Sequence, residues 1–195
     1  MRTIVLVFCL TLSSGRNVLA QGGQISPNAP RSGCLSLSEA NDIALSGFEE
    51  TFTLAAKAMP ADKYNFTPAS MGIPGSNFQG VRSFSSEVRH VAQSNFITYS
   101  AISGLTPAYD VESIASLKTK DEILAALAAS FAFGHKAIVT LTPATEEDPM
   151  DFQGLKTKET VAAFALAHAF DHYGQMVEYL RMNGIVPPAS PPQTK

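Results

Sequence analysis

Four stretches of the chain, each about twenty residues long, repeat their apolar residues at the three- and four-residue spacing of an α-helix. These stretches are residues 37–59, 83–104, 119–141 and 157–183. Little of the remaining sequence alternates between apolar and polar residues as a strand does, so we expect no sheet for the helices to cover. Four amphipathic helices without a sheet bury their apolar faces against one another, and the pattern therefore predicts an all-α four-helix bundle.

Local signals at the helix ends support these boundaries. Ser36 with Glu39, and Thr119 with Glu122, have the spacing of a capping box at a helix N-terminus. Gly104 follows the second stretch as a glycine that ends a helix. The connections between the first and second helices, and between the third and fourth, are long enough to be crossovers instead of simple hairpins.

The first twenty residues, MRTIVLVFCLTLSSGRNVLA, have the layout of a secretory signal peptide. Arg2 precedes an apolar run, and Val18 and Ala20 occupy the −3 and −1 positions of a cleavage site. The apolar run is shorter than the ~20 residues that span a bilayer as a helix. We therefore expect cleavage after Ala20 and a periplasmic or secreted protein that leaves the membrane after cleavage. An uncleaved N-terminal anchor is the alternative.

Composition divides the rest of the chain into three parts. Residues 21–34, rich in Gly, Pro, Ser and Asn, are expected to form a flexible lead-in. Residues 35–186 hold the four helical stretches and are expected to form the bundle. Residues 187–195 are a proline-rich tail.

Charge and cysteine content argue against a nucleic-acid-binding protein and against a fold held together by disulfides. With Arg2 and Arg16 removed in the signal, the basic count falls from 14 to 12 against 17 acidic residues, a formal charge of −5. No basic tract is present, so we expect no nucleic-acid partner. Cys9 would leave with the signal, and Cys34 alone cannot form an internal disulfide. The fold must therefore be held together by its core.

Two histidines lie four residues apart in the fourth stretch. His168 and His172 share one helix face with residues that a bundle buries, namely Val161, Phe164, Met176 and Tyr179. Buried imidazoles need polar partners, and this spacing brings two ring nitrogens within reach of one metal ion. The alternative is that both are ordinary helix residues, hydrogen-bonded or solvated. A third ligand could come from His90 or from His135, and spacing alone does not choose between them.

Two segments, SFSSEVRHVAQSNFITYSAISG and HAFDHYGQMVEYLRMNGIVPP, resemble the DinB-like (YfiT-like) family of small four-helix metalloproteins. The segment MPADKYNFTPAS also resembles that family, and the likeness covers nearly the whole mature chain. The family pattern has one histidine on the second helix and an H-x-x-x-H pair on the fourth, and it falls on His90, His168 and His172. The resemblance implies a divalent ion, nickel or zinc most often, held by three imidazoles with one position open. Manganese is a further option, and His135 is then a structural residue or one that supports a ligand.

Three neighbours of the histidine pair are also of interest. Gln175, one turn beyond His172, is the candidate catalytic residue, because its amide could bind a water or a substrate; alternatively, it is a polar residue at the edge of the core. Asp171 is expected to face solvent. Gly174 is expected to let a neighbouring helix approach closely.

The resemblance also limits the function. The DinB-like family includes thiol-dependent S-transferases and isomerases, but the thiol cofactors of the cytoplasm suit an exported protein poorly. We therefore expect a metal-dependent hydrolase or transferase that acts on a small molecule of unassigned identity. The alternative is an exported helical bundle that binds a metal or a ligand without turnover. A homodimer formed through helix faces is expected in either case.

Overall fold

The fold, a computed structural model, is described for residues 35–190 of the 195-residue chain. The predicted signal peptide and lead-in, and the end of the predicted tail, lie outside these residues. Within them the chain forms four long helices and one small hairpin, which confirms the all-α class. The helices are α1 (Leu37–Ala58), α2 (Phe84–Ser103), α3 (Lys120–Ile138) and α4 (Lys158–Met182). Apart from α3, which ends three residues early, they match the predicted bounds closely.

Both predicted capping boxes form. The Ser36 hydroxyl accepts the Glu39 N–H, and the Glu39 carboxylate accepts the Ser36 N–H at 2.8 Å. The Thr119 hydroxyl and the Glu122 carboxylate make the same reciprocal pair at the start of α3. These bonds satisfy backbone donors that have no partner within the first turn of a helix. The starts of α1 and α3 are therefore set by local sequence.

The helices are arranged in the cyclic order α1–α3–α2–α4. Both α1 and α2 pack against α3 and α4, whereas α1 and α2 make little contact with each other, and nor do α3 and α4. Helix α1 therefore lies diagonally opposite α2, and α3 lies diagonally opposite α4. Residues 59–83 and 139–157 cross the ends of the bundle, as predicted.

The neighbouring helices α2 and α3 run parallel, which the sequence pattern did not predict. Asn95 Nδ2 donates to Ser130 Oγ at 3.1 Å, and one turn further along both helices Tyr99 packs against Gly134. Contacts that advance together along two helices place them in the same direction. The connection between α2 and α3 must therefore return along the length of the bundle.

Residues 104–119 form this returning connection and are held against α2 by two hydrogen bonds. Gln93 Nε2 donates to the Val111 carbonyl at 3.2 Å. Closer to the start of α2, Arg89 Nη1 donates to the Leu117 carbonyl at 2.7 Å. Both bonds satisfy backbone carbonyls that lie in neither a helix nor a sheet.

A small β-hairpin in the last long connection departs from the expectation of little strand structure. Its antiparallel strands are β1 (Pro149–Phe152) and β2 (Leu155–Thr157). The two loop residues, Gln153 and Gly154, have positive φ angles of 53° and 88°, which suits the two-residue turn that joins twisted strands. The strands are too short to show a clear alternation of apolar and polar residues, so the sequence pattern did not predict them.

The glycine that leaves room for side chains of neighbouring helices is not the predicted one. A Cβ atom at Gly174 would have no neighbour within 4 Å, so that expectation was wrong. At Gly134 a Cβ atom would lie 2.9 Å from Tyr99 Cε2 and 3.2 Å from Leu45 Cδ2. Gly134 is therefore the position where α3 has no room for a side chain.

Among the described residues, no helix is both long and apolar enough to cross a membrane.

Candidate metal site

Three histidine side chains converge where α2 and α4 pack side by side. His168 Nε2 lies 3.1 Å from His90 Nε2 and 3.1 Å from His172 Nε2. His172 is buried, whereas His90 and His168 are half-buried. One nitrogen from each ring therefore faces a common centre, and two of the three rings are partly exposed to solvent.

The geometry of these nitrogens fits a divalent transition metal. Nitrogen ligands at ~2.0–2.1 Å from a tetrahedral or octahedral ion are about 2.8–3.4 Å apart. The two separations of 3.1 Å lie in this range, and all three ligand atoms lie within 4.8 Å of one another. Among the described residues, these three histidines, called the histidine trio below, form the one group of three or more potential metal ligands whose ligand atoms lie close together. Three nearby histidines could thus hold a metal ion.

Glu87, which no sequence motif singled out, contacts one imidazole of the trio. Its Oε2 lies 2.5 Å from His172 Nδ1, and both side chains are almost completely buried. A proton on Nδ1 leaves the lone pair on Nε2, the nitrogen that faces the other two histidines. Glu87 lies three residues before His90 on α2, so the i, i+3 spacing was the signal that could have indicated it.

Burial keeps the two half-buried imidazoles neutral near pH 7. Burial, followed by the charges of Arg82 and of the two neighbouring histidines, lowers the pKa of His90 to about 4. The pKa of His168 is also lowered, first by burial and then by the charge of His172. Unprotonated ring nitrogens are the form that binds a metal, so neither residue must lose a proton at neutral pH.

One aromatic ring stacks on the trio, and a hydrogen bond ties α4 to the segment before α2. The ring of Phe164 stacks on His168 with centroids 5.4 Å apart and an interplanar angle of 29°. The Tyr179 hydroxyl donates to the carbonyl of Arg82, two residues before α2, at 3.1 Å, which ties this segment to α4. His90 lies on α2, and His168 and His172 lie on α4. The packing of these two helices therefore places all three imidazoles.

His135 lies elsewhere, between α3 and α1. Its Nδ1 is 2.6 Å from Asp42 Oδ1, and its Nε2 is 2.9 Å from Glu49 Oε2. Burial lowers the pKa of His135, but the hydrogen bonds and charges of the two carboxylates outweigh burial and raise it overall. Both ring nitrogens are occupied, so His135 joins two helices and is not a neighbour of the histidine trio.

Of the remaining two candidates, Asp171 is exposed and Gln175 is half-buried. Asp171 is exposed, as expected, and it accepts a hydrogen bond from Gln175 Nε2 at 3.2 Å. In the described part of the chain, Gln175 makes no hydrogen bond to the three imidazoles. Its role in catalysis therefore stays a prediction.

Comparison with known proteins identifies the family. A search of the curated proteins finds no match. A family model described as the DinB superfamily matches residues 44–176. This segment covers more than half of the chain and contains His90, His168 and His172. The chain belongs to the DinB superfamily.

Proposed function

We propose that this protein binds one divalent transition metal through His90, His168 and His172, and that the ion serves a hydrolase or transferase reaction on a small molecule. The observation that supports this proposal is the convergence of three Nε2 atoms at separations suited to one ion. The resemblance to DinB-like metalloproteins points to the same three residues. Nickel and zinc are the preferred ions, and manganese is also compatible with an all-imidazole site.

The exposure of the trio favours a catalytic site over a structural one. Structural zinc sites usually surround the ion with four protein ligands, whereas catalytic sites keep a position for water or substrate. Here the described residues bring together three ligands, two of them half-buried. A bound divalent ion would act as a Lewis acid toward a water or a substrate carbonyl. The imidazoles would hold it, and Phe164 would limit access on the side of His168.

The alternative is an exported bundle that binds a metal or a ligand without turnover. One observation favours it: two cavities lie away from the histidines. A cavity of about 300 Å³ lies between α4 and the following segment and is lined in part by Phe170 and Tyr173. Another of about 250 Å³ is lined in part by Phe96 and Tyr109. Neither cavity includes a member of the trio.

The decisive experiment is elemental analysis of the untagged protein after incubation with nickel, zinc or manganese. We expect close to one equivalent of metal in the parent. The double variant His168→Ala, His172→Ala should remain helical by circular dichroism and lose the metal. His135→Gln is the matched control, because it removes an imidazole outside the trio and should keep the metal.

A parent protein that retains none of the three ions would overturn the proposed function. Retention in the parent and loss in the double variant would justify a screen of hydrolase and transferase substrates on the loaded protein. Retained metal without activity on any of these substrates would favour the binding protein over the enzyme.

Export and dimerisation are proposed as well. Mass spectrometry of protein recovered from the periplasm or the medium should show an N-terminus at Gln21. Sedimentation equilibrium should give twice the mass of the mature chain. A full-length mass in the membrane fraction would instead support an uncleaved anchor.

A further inference from the structure

Glu87 is a fully buried carboxylate beside the histidine trio. Its Oε2 contacts His172 Nδ1, and its Oε1 has no hydrogen-bond partner among the described residues. A buried carboxylate is costly unless positive charge or hydrogen bonds compensate it. Its one polar contact in this part of the chain is an imidazole that points its other nitrogen at the candidate metal position. The contact with His172 therefore compensates the buried negative charge of Glu87 only in part, and a nearby cation would complete the compensation.

Contact with a carboxylate has two effects on a metal-binding imidazole. It fixes the proton on the nitrogen away from the ion, and it makes the ligand nitrogen more basic. The side chains of His172 and Glu87 are 5% and 1% exposed, so water hardly competes for this bond. The low dielectric constant of the interior strengthens the interaction further.

We propose that Glu87 is a positioning residue of the metal site, which holds His172 with its Nε2 unprotonated and supplies buried negative charge that favours a divalent cation. This inference rests on the proposed function. It assigns Glu87 a role that a purely structural polar residue would not have, because metal affinity and the tautomer of His172 both depend on it.

The test compares Glu87→Gln with the parent in zinc and nickel titrations, each in competition with a chromophoric chelator. Glutamine keeps the shape of the side chain and removes its charge. We expect the variant to bind both ions about 10- to 100-fold more weakly, the range found for partners of metal ligands. Glu87→Asp keeps the charge but shortens the reach, and it should have an intermediate affinity.

Asp171→Asn is the matched control. It removes a negative charge from the residue next to His172, but Asp171 is exposed and contacts Gln175 instead of an imidazole. Water and salt screen such a charge, so affinity should change by no more than about threefold. The comparison separates a buried contact from a general effect of charge.

A second readout does not need a bound metal. In the metal-free parent, ¹⁵N NMR of the imidazoles should show His172 protonated at Nδ1, and Glu87→Gln should weaken this preference. If Glu87→Gln fails to fold, Glu87→Asp and the parent spectrum decide the question. The inference fails if the folded charge-removal variant binds within about threefold of the parent, or if the parent carries its proton on Nε2. A parent that binds neither ion and retains no manganese overturns the proposed function and this inference together, before any variant is compared.

Discussion

Tyr99 occupies the space that a side chain on Gly134 would need. A Cβ atom at that glycine would lie 2.9 Å from Cε2 and 3.0 Å from Cδ2 of the tyrosine ring. Tyr99 is almost completely buried, so the ring cannot move aside into solvent. The parallel packing of α2 against α3 therefore depends on a glycine in the middle of a helix, where glycine is otherwise unfavourable.

We predict that Gly134→Ala lowers the free energy of unfolding by about 1–3 kcal/mol, because overpacking outweighs the gain in helix propensity. The control is Gly174→Ala, where an added Cβ meets nothing within 4 Å. That variant should be more stable than the parent by about 0.5–1 kcal/mol. Urea denaturation of both variants measures the difference. Shifts of the same sign in the two variants would contradict this account of the packing.

Lys120 joins the start of α3 to the end of α1. Its Nζ donates to the Lys57 carbonyl at 2.7 Å and to the Met59 carbonyl at 2.8 Å, where α1 leaves backbone acceptors without helical partners. Lys120→Met should cost about 1–3 kcal/mol, since hydrogen bonds to charged groups are stronger than average. The urea midpoint should fall with an unchanged m-value. Lys118→Met, at an exposed position, should change stability by less than about 0.5 kcal/mol.

The contact of His135 with Asp42 and Glu49 predicts a pH-dependent contribution to stability. The two carboxylates raise the pKa of His135 in the folded state despite its burial. The contribution is therefore fully present below the ordinary histidine pKa of about 6.5 and is lost as pH rises through the folded-state pKa. It should amount to about 1 kcal/mol or less, because the partners are partly exposed.

Thermal unfolding of Glu49→Gln and Glu50→Gln across a pH series checks this prediction. Glu50 is the exposed neighbour of Glu49 on α1 and should have little effect. The melting temperature of Glu49→Gln should fall below that of the parent at acidic pH and approach it at alkaline pH. A difference that is constant with pH would show that His135 carries no charge in the folded protein.

His90 and His135 should titrate at different pH values in the metal-free protein. Burial, followed by the charge of Arg82, lowers the pKa of His90 to about 4. NMR should show His90 neutral until about that pH, whereas His135 should protonate above the ordinary value. The unfolded chain protonates first on acidification, so the stability linked to His90 is present above about pH 6.5 and is lost as pH falls toward 4.

Arg82→Gln tests the second cause of this shift. Removal of the guanidinium should raise the pKa of His90, because a nearby cation disfavours a second positive charge. Arg181→Gln is the control, because its guanidinium donates to Ser190 Oγ and does not act on His90. A His90 midpoint near 6.5 in the parent would contradict the burial of that ring.

Local sequence accounts for much of the fold. The apolar spacing identified four helices, and the capping residues at Ser36 and Thr119 gave the starts of two of them, because both signals act within one or two turns of helix. The pairing of His168 with His172 was equally local, since residues four apart on a helix share a face. The hairpin at 149–157 escaped notice because its strands are too short to establish a period.

Only the tertiary structure showed which helices, and which of their residues, contact one another. Spacing could not choose between His90 and His135 as a neighbour of the pair on α4; the resemblance favoured His90, and the fold brings it there because α2 lies beside α4. His135 is carried by α3, which lies diagonally opposite α4 and places it against α1. The contact of Glu87 with His172 and the parallel direction of α2 and α3 likewise became known only from the tertiary structure. Helical periodicity records which face of a helix is buried, whereas the partner of that face depends on the path of the loops and on packing across the whole core.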